Sequence, residues 1–294
     1  MPRSTGRRRA ATAASSWDDS PVPEIALSQG TIRYRDEGSG HPVVFVHGAL
    51  VDGRLWEPVV ERLLPDFRCV VPDWPLGAHR IAMPPDADLS PTGLADLIAE
   101  LLDALDLRSV TLVGNDTGGG LCQLVVTRSP ERIGRLVLTD CDAFRNFPPA
   151  MFRGLVLAAR AGVLTAAVQP LRLPPLRRLP FAYGWLTERK LPGELLDSWL
   201  EPFFSDAGVR RDVRRLFAGI ERNALLDNSA RLGEFNRPVL IAWARDDPFF
   251  PLDHAYRLAR IFPDAHVVEV PDARAFISLD QPERLAELLR EFAA

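Results

Sequence analysis

Cysteine is scarce in this sequence, since its 294 residues include only Cys69, Cys122 and Cys141. The three are irregularly spaced and lie in or beside apolar runs. A disulfide framework or a zinc site needs more cysteines at closer, regular spacings, so this pattern indicates neither. We interpret all three as buried, reduced core residues and expect a cytoplasmic protein without a bound metal.

Long apolar runs and a strong charge imbalance are also lacking. No uncharged apolar stretch reaches the roughly 18 residues of a membrane span, so we expect no membrane partner. Residues 1–22 are basic but lack the apolar centre of a secretory signal, and they predict a disordered tail in which Arg7–Arg9 are solvated. The net charge of −4 gives no reason to expect nucleic acid. No phosphate-cradling loop is present, so we expect no cofactor.

The sequence does contain a regular alternation of apolar, strand-like runs with helical patterns. A helix is predicted from Pro91 onwards, because Ser90 is a favourable N-cap residue and proline suits the first helical position. Alternation of this kind predicts an α/β fold, a mostly parallel central sheet flanked by helices. The strand-like runs of the first half are VVFVHG at 43–48, RCVVPDWP at 68–75, SVTLV at 109–113 and RLVLTDCD at 135–142.

The alternation stops between residues 145 and 235, where the sequence is helical in pattern, rich in arginine and interrupted by prolines. Strand patterns resume with PVLIAWARDD at 238–247 and HVVEV at 266–270. We therefore predict a core formed by residues 23–144 and 236–294, with residues 145–235 inserted as a helical cap. An insertion at the carboxyl ends of the strands would form a lid over a ligand site.

The stretch GNDTGGG at 114–120 joins a predicted strand to a predicted helix. The pattern Gly-x-nucleophile-x-Gly at such a junction is typical of a sharp turn that presents a nucleophile. Asp116 occupies the nucleophile position, and a carboxylate can attack carbon without a base to deprotonate it. The alternative is an ordinary strand-to-helix turn with an N-capping aspartate.

Four features occur in a familiar order: His47-Gly48 after a strand, the GNDTGGG turn, the helical insertion and WARDDPFFP at 243–251. Together they resemble the α/β-hydrolase superfamily, and aspartate at the turn resembles its haloalkane dehalogenase and epoxide hydrolase branch. The resemblance extends from about residue 24 to the end of the sequence. It implies the α/β-hydrolase fold, with an inserted helical lid over the central sheet.

This resemblance implies roles for individual residues. Asp116 would attack an sp3 carbon and form an alkyl ester, which water would then hydrolyse. The amides of Ala49 and Thr117 would hold the oxyanion that forms in the second step. Asp247 would be the acid that orients a histidine base, and Asp140 or Asp142 is the alternative acid.

The histidine base itself is missing from the expected position. The family pattern Asp-x-Gly-His-Phe corresponds here to residues 272–276, DARAF, which puts Ala275 where the base belongs. Of the five histidines, we consider only His79 as a replacement base, and its alternative is a solvated loop residue. Arg274 could pair with Asp247. Without a base, an ester on Asp116 would be hydrolysed slowly.

Residues around the predicted site suggest a small, apolar substrate. Leu50, Trp185 and Phe276 are candidate substrate-binding residues, together with His47, which we expect to shape the oxyanion loop. Thr117 follows the nucleophile where dehalogenases usually carry the tryptophan that holds a halide, so haloalkane dehalogenation is not favoured. The predicted cap has one tyrosine, Tyr183, so it cannot supply the tyrosine pair of epoxide hydrolases.

Three hypotheses follow from these residues. The chain could be an enzyme centred on Asp116, by default a hydrolase, although a lyase, isomerase or cyclase would need no histidine base. It could instead be a ligand-binding protein that has lost catalysis. It could also be an ordinary dehalogenase or epoxide hydrolase with a replaced base. The sequence leaves open whether the protein is a monomer or a dimer.

Overall fold

The computed structural model describes residues 22–293, in which eight strands form one sheet. Except for Val22, the tail predicted for residues 1–22 lies outside the described part. Most strands are almost fully apolar and buried, as expected for a sheet covered on both faces. The strands are β1 (Glu24–Leu27), β2 (Gly30–Gly38), β3 (His41–Val46), β4 (Phe67–Pro72), β5 (Val110–Asp116), β6 (Ile133–Cys141), β7 (Val239–Ala244) and β8 (Ala265–Val270).

The strand order in the sheet is β1-β2-β4-β3-β5-β6-β7-β8. Strand β2 pairs antiparallel with β1 and β4, and all other neighbours are parallel. In the centre, Val43 and Val44 of β3 pair with Thr111 and Leu112 of β5. The predicted fold class, a mostly parallel sheet flanked by helices, is confirmed.

Eleven α-helices accompany the sheet in the described residues. The predicted start of one of them is confirmed: Pro91 opens the helix, and the Ser90 hydroxyl accepts a hydrogen bond from the Gly93 amide at 3.2 Å. Six helices belong to the sheet region: α1 (Glu57–Leu63), α2 (Pro91–Ala104), α3 (Thr117–Arg128), α9 (Leu252–Ile261), α10 (Ile277–Asp280) and α11 (Pro282–Ala293).

Between β6 and β7 the chain forms helices and turns without a strand. Its α-helices are α4 (Arg153–Arg160), α5 (Leu164–Val168), α6 (Gly193–Ser205), α7 (Ala207–Gly219) and α8 (Ala224–Ser229). We call residues 145–235 the cap, in keeping with the predicted boundaries. No helix among residues 22–293 combines the length and the apolar character needed to cross a bilayer.

The sheet has a topological switch point at β3, because the strands that follow β3 in the chain lie on opposite sides of it. From β3 the chain goes to β4 on one side, and it then crosses to β5 on the other side. Ligands in open α/β sheets bind at such a switch point, outside the carboxyl ends of the strands. The loop after β3 and the turn after β5 therefore meet where a site is expected.

Candidate active site

Asp116 is the last residue of β5 and immediately precedes helix α3. Its backbone has φ 54° and ψ −129°, a conformation that non-glycine residues adopt only when the surrounding structure enforces it. The turn is tight on both sides. A Cβ on Gly118 would lie 2.3 Å from the Val46 carbonyl oxygen, and one on Gly119 would lie 2.3 Å from the Cys141 Cβ. The close approach of this turn to the neighbouring strands thus requires these glycines.

The Asp116 carboxylate faces a cavity and lies against the loop after β3. A Cβ on Gly48 would be only 2.3 Å from Asp116 Oδ2, so the carboxylate fills the space where that side chain would be. Asp116, Ala49 and Thr117 all line a cavity of about 270 Å³. The Asp116 side chain makes no capping hydrogen bond to α3. These contacts disfavour the reading of this turn as a simple N-cap.

The loop that carries Ala49 is held by several hydrogen bonds. The Leu50 amide donates to the Leu76 carbonyl at 2.9 Å, and the Leu50 carbonyl accepts from the Tyr183 hydroxyl at 2.7 Å. His47 Nε2 accepts from the Trp74 amide at 2.9 Å, so its Nδ1 carries the proton and donates to the Gly48 carbonyl. Burial lowers the pKa of His47 to about 4, which keeps the ring neutral.

His47 therefore supports the loop from beneath. It is fully buried and does not line the cavity. Both ring nitrogens of His47 are hydrogen-bonded to backbone groups, so the ring has no polar atom left for a substrate. These contacts fit the role that the sequence suggested, which is to shape the loop.

Thr117 connects two carboxyl groups. Its hydroxyl lies 3.5 Å from Asp116 Oδ1 and 3.3 Å from Asp142 Oδ2. Burial, helped by the negative charge of Asp247, raises the pKa of Asp116 to about 7, even though hydrogen bonds from Thr117 lower it. The carboxyl group of Asp116 therefore titrates close to neutral pH.

The two alternative acids differ in their surroundings. Asp142 is completely buried, reaches Thr117 with one oxygen and has no partner for Oδ1 among the described residues. Asp140 instead accepts the Ala244 amide at 3.0 and 3.2 Å, which ties the end of β6 to β7. Burial raises the pKa of both carboxyl groups well above the usual range.

Asp247 lies in the turn after β7, and its two carboxylate oxygens differ in their hydrogen bonds. Oδ1 accepts the amides of Phe249 and Phe250 at 2.5 and 2.7 Å. Oδ2 is buried and has no hydrogen-bond partner among residues 22–293. Burial raises the pKa of Asp247 to about 6, while the positive charge of Arg274 lowers it.

Ala275 lies on the loop after β8 and close to the nucleophile turn. Its carbonyl accepts the Asn115 side-chain amide at 2.6 Å, and Asn115 directly precedes Asp116. The alanine is fully buried. The predicted contact of Arg274 with Asp247 is not formed, because the guanidinium donates to Glu188 at 2.7 Å instead.

Comparison with known proteins decides the family. The model of the α/β-hydrolase-fold family matches residues 41–282, which is most of the chain. The chain belongs to the α/β-hydrolase family. Haloalkane dehalogenase 2 of Mycobacterium bovis is 30% identical over 291 residues, covering 94% of this chain and 94% of that protein. This α/β hydrolase therefore belongs to the dehalogenase-like branch.

The chain is also similar to a protein named as a decarboxylase and to a solved α/β-hydrolase structure. The cis-3-alkyl-4-alkyloxetan-2-one decarboxylase of Shewanella oneidensis is 28% identical over 279 residues, covering 91% of the hydrolase chain and 86% of that protein. A crystal structure of an α/β-hydrolase-fold protein from Burkholderia ambifaria superposes with a TM-score of 0.78 at 21% identity, covering 92% and 97% of the two chains. The latter shows the same fold.

His79 does not take the place of the absent base in this α/β hydrolase. Its Nδ1 accepts the Gly77 amide at 3.3 Å, so its Nε2 carries the proton and lies 3.4 Å from Asp212 Oδ2. The ring is buried and does not line the cavity. The geometry thus gives His79 a contact between the core and helix α7 in place of the predicted catalytic role.

Two of the predicted substrate-binding residues lie elsewhere. Trp185 is exposed and does not line the cavity of the hydrolase. Phe276 is buried, donates its amide to the Leu186 carbonyl and packs edge-on against Trp199. Leu50 does line the cavity, as predicted.

Most of the cavity wall comes from cap residues, of which the sequence had suggested only Phe181 as part of an apolar lining. Helical spacing puts Phe152 and Leu155 on one side of the chain, which is a signal that could have identified them. The wall is apolar apart from Asp116, Thr117 and the hydroxyl of Tyr183. Its other large apolar members are Val168, Leu171, Phe181, Leu186, Phe217 and Phe250.

The Asp116 carboxylate thus lies in an apolar cavity that Ala49 and Thr117 also line, and no histidine lines this cavity among residues 22–293. Within the described residues, no group of three or more His, Cys, Asp or Glu side chains is arranged to hold a metal ion. The arrangement can bind an apolar molecule and bring an electrophilic carbon to Asp116.

Proposed function

We propose that this chain is a hydrolase-type enzyme in which Asp116 captures a small apolar electrophile as an alkyl ester. The supporting observation is the Asp116 carboxylate at the floor of the apolar cavity, lying against Gly48 and beside Ala49 and Thr117. Asp116 is the only residue with a carboxylate side chain that lines this cavity within the described residues. A carboxylate with few solvent contacts is a stronger nucleophile than a hydrated one.

In the first step, a carboxylate oxygen of Asp116 forms a bond to the sp3 carbon. The bond from that carbon to the leaving halide, or to the epoxide oxygen, breaks with its electron pair. In the second step, water adds to the ester carbonyl carbon while the amides of Ala49 and Thr117 stabilise the oxyanion. The bond from that carbon to the alkoxy oxygen then breaks, which releases the alcohol and restores the Asp116 carboxylate. The water must lose a proton, and Ala275 cannot accept it. Base assistance is worth about 10²–10⁴-fold, so the ester should persist.

The cavity wall indicates the substrate class. A volume of about 270 Å³ with an almost entirely apolar wall fits a short alkyl or small aromatic molecule. Haloalkane dehalogenase 2 of M. bovis is the relative whose name specifies such a substrate. Among residues 22–293, no tryptophan lines the cavity beside Asp116, and the Tyr183 hydroxyl donates to the Leu50 carbonyl. Leaving groups that need little assistance, such as bromide or iodide, are therefore favoured.

The test is intact-mass spectrometry of the protein after incubation with 1-bromobutane or 1,2-epoxybutane. We expect one added butyl or hydroxybutyl group, mapped to Asp116 by peptide sequencing. Asp116→Asn should remove the adduct, whereas Asp142→Asn should retain it because that carboxyl group is not exposed to the cavity. An adduct on another residue, or one that survives Asp116→Asn, would contradict the proposal.

A second candidate is an enzyme that uses Asp116 as an acid or base and forms no ester, such as a lyase. The observation that favours it is the pKa of Asp116 near 7, which suits proton transfer at neutral pH. A relative named as an oxetanone decarboxylase also supports it. Turnover without any adduct, abolished by Asp116→Asn, would select this candidate. Binding of apolar molecules with neither adduct nor turnover would select a non-catalytic ligand-binding protein.

A further inference from the structure

The two parts of the cap differ sharply in charge. Residues 145–187 contain six arginines and no aspartate or glutamate, although the whole protein has a net charge of −4. Residues 188–235 contain nine acidic and eight basic residues. Four of the six arginines in the first part are exposed, namely Arg145, Arg160, Arg172 and Arg178. The first part of the cap is therefore a strongly basic surface on a mildly acidic protein.

Exposed apolar side chains are concentrated on the same part of the chain. Seven large hydrophobic residues are exposed among residues 22–293, and only Tyr256 lies outside 145–187. Large exposed apolar groups that cluster in one segment indicate an interaction surface. The other six are Met151, Leu157, Val163, Leu173, Phe181 and Trp185, with 41 to 67% of their surface exposed.

The same segment also forms most of the wall of the active-site cavity. Phe181 both lines the cavity and has 57% of its surface exposed, and Ala167 and Pro170 likewise combine exposure with cavity contact. These residues connect the interior of the cavity to the outer surface. The cavity therefore opens within the basic, apolar part of the cap.

We propose that residues 145–187 form a docking surface for an anionic lipid bilayer. Arginines would contact lipid phosphates, while Leu157, Leu173 and Trp185 would enter the boundary between headgroups and acyl chains. An apolar substrate dissolved in the bilayer would then face the cavity entrance. A folded protein partner seated here would instead cover Phe181 and close that entrance, so a fluid lipid surface fits the observations better.

This mode of binding differs from spanning a membrane. The absence of a long apolar run excludes a transmembrane helix, but a surface that rests on a bilayer needs only basic residues and a few apolar anchors. The expectation of no membrane partner came from that absence alone. The proposal is also independent of the chemistry at Asp116, because it concerns only the exterior of the cap.

The experiment is co-sedimentation of the full-length protein with vesicles. We expect binding to phosphatidylglycerol–phosphatidylcholine vesicles, release at high ionic strength, and no binding to phosphatidylcholine alone. Arg145→Gln/Arg178→Gln should weaken binding about 30-fold, since each basic residue near an anionic surface contributes about fivefold. Leu157→Ser/Leu173→Ser should weaken it on the order of tenfold through lost apolar burial.

Matched control variants lie on the core. Arg108→Gln/Arg284→Gln removes two exposed arginines, and Tyr256→Ser removes the one exposed large hydrophobic residue outside the segment. Both should bind like the unmodified protein. A third variant, Arg7→Gln/Arg8→Gln/Arg9→Gln, tests the basic stretch near the start of the chain. Thermal melts check that every variant is folded.

Three results would overturn the proposal. The unmodified protein could fail to bind the anionic vesicles. The core controls could lose as much binding as the cap variants. Binding could also disappear with the change at residues 7–9 while both cap variants keep it, which would assign the lipid contact to the start of the chain.

Discussion

The two halves of the active site differ in completeness. The half supplied by β3 and β5 has its carboxylate, its tight turn and the loop with the candidate oxyanion amide of Ala49. The half supplied by β7 and β8 has Asp247, whose Oδ2 has no hydrogen-bond partner among the described residues, and a methyl group at Ala275. The first half presents a carboxylate to the cavity, whereas the second half has no imidazole at position 275, where the proposed hydrolysis would need a base.

This difference shows that the two halves depend on the fold in different ways. The first half is built from the backbone, where Gly118 and Gly119 pack directly against neighbouring strands. The second half depends on side chains that loops carry, so a change at position 275 would alter few backbone contacts. Asp247 also has a structural role, because its Oδ1 accepts the amides of Phe249 and Phe250 and holds that turn.

The largest expected effect comes from completing the second half. Ala275→His should shorten the lifetime of the Asp116 ester by about 10²–10⁴-fold, because an imidazole could deprotonate the attacking water. The measurement is the decay of the butyl adduct by mass spectrometry after excess reagent is removed. In the control, Asp247→Asn in the Ala275→His background should lose most of the gain, since Asp247 Oδ2 would orient the ring. A folded Ala275→His protein whose adduct persists would contradict this account.

The backbone origin of the first half predicts a large effect on stability. Gly118→Ala places a Cβ 2.3 Å from the Val46 carbonyl oxygen, and neither group can move easily. We expect the free energy of unfolding to fall by about 3 kcal/mol. Gly154→Ala in helix α4 meets nothing within 4 Å and should raise stability by about 0.5–1 kcal/mol. Urea denaturation measures both, and equal effects would show that the turn tolerates a side chain.

The charge of Asp247 influences the pKa of Asp116, so the rate of alkylation at Asp116 should depend on pH. Alkylation needs ionised Asp116, whose pKa is about 7, so the rate should rise about tenfold per pH unit below 7 and level off above it. The measurement is the adduct formation rate as a function of pH. Because the charge of Asp247 raises this pKa, Asp247→Asn should lower the midpoint. Thr117→Val should raise it, since Thr117 lowers the pKa.

The same pKa also affects stability. Asp116 titrates higher in the folded protein than its ordinary value of 3.8, so the native state holds the proton more tightly than the unfolded state. Its contribution to stability is complete below about pH 4 and is lost as the pH rises through about 7. Asp116→Asn should therefore flatten the fall in melting temperature over this range. An unchanged slope would mean that Asp116 titrates normally.

The smallest effect on stability is expected for the partly exposed ion pair between Arg274 and Glu188. Arg274→Gln breaks the ion pair with Glu188, in which both side chains are partly exposed, so stability should fall by less than about 1 kcal/mol. It should also raise the pKa of Asp247, because the Arg274 charge lowers it. A double-mutant cycle with Glu188→Gln measures the pair. A loss well above 1 kcal/mol would show that this pair holds the cap in place.

Much of this architecture could be predicted from sequence because it depends on local patterns. The apolar runs predicted most of the strands of the sheet, and Ser90-Pro91 predicted where α2 begins. The GNDTGGG stretch predicted the turn at Asp116, since only small residues allow that approach of helix and strand. The family pattern also puts Ala275 where a histidine base would belong, and that reading stays a prediction.

Side-chain contacts across the cap could not be predicted in the same way. Trp185 and Phe276 are both aromatic and near the site in sequence, yet one points to solvent and the other packs behind the cavity wall. His79 follows a strand end, but its partner Asp212 is 133 residues away. Long-range pairing of this kind depends on how the cap sits on the core, which no local pattern encodes.

The hydrogen bond from Tyr183 to Leu50 couples the shape of the cap to the shape of the loop beside the carboxylate. This bond links the inner surface of the cap to the residue that follows Ala49. Leu50 is otherwise held by its amide, which donates to the Leu76 carbonyl at 2.9 Å. Tyr183→Phe would therefore remove one of the two bonds that fix Leu50 and leave the position of the neighbouring Ala49 amide less firmly set.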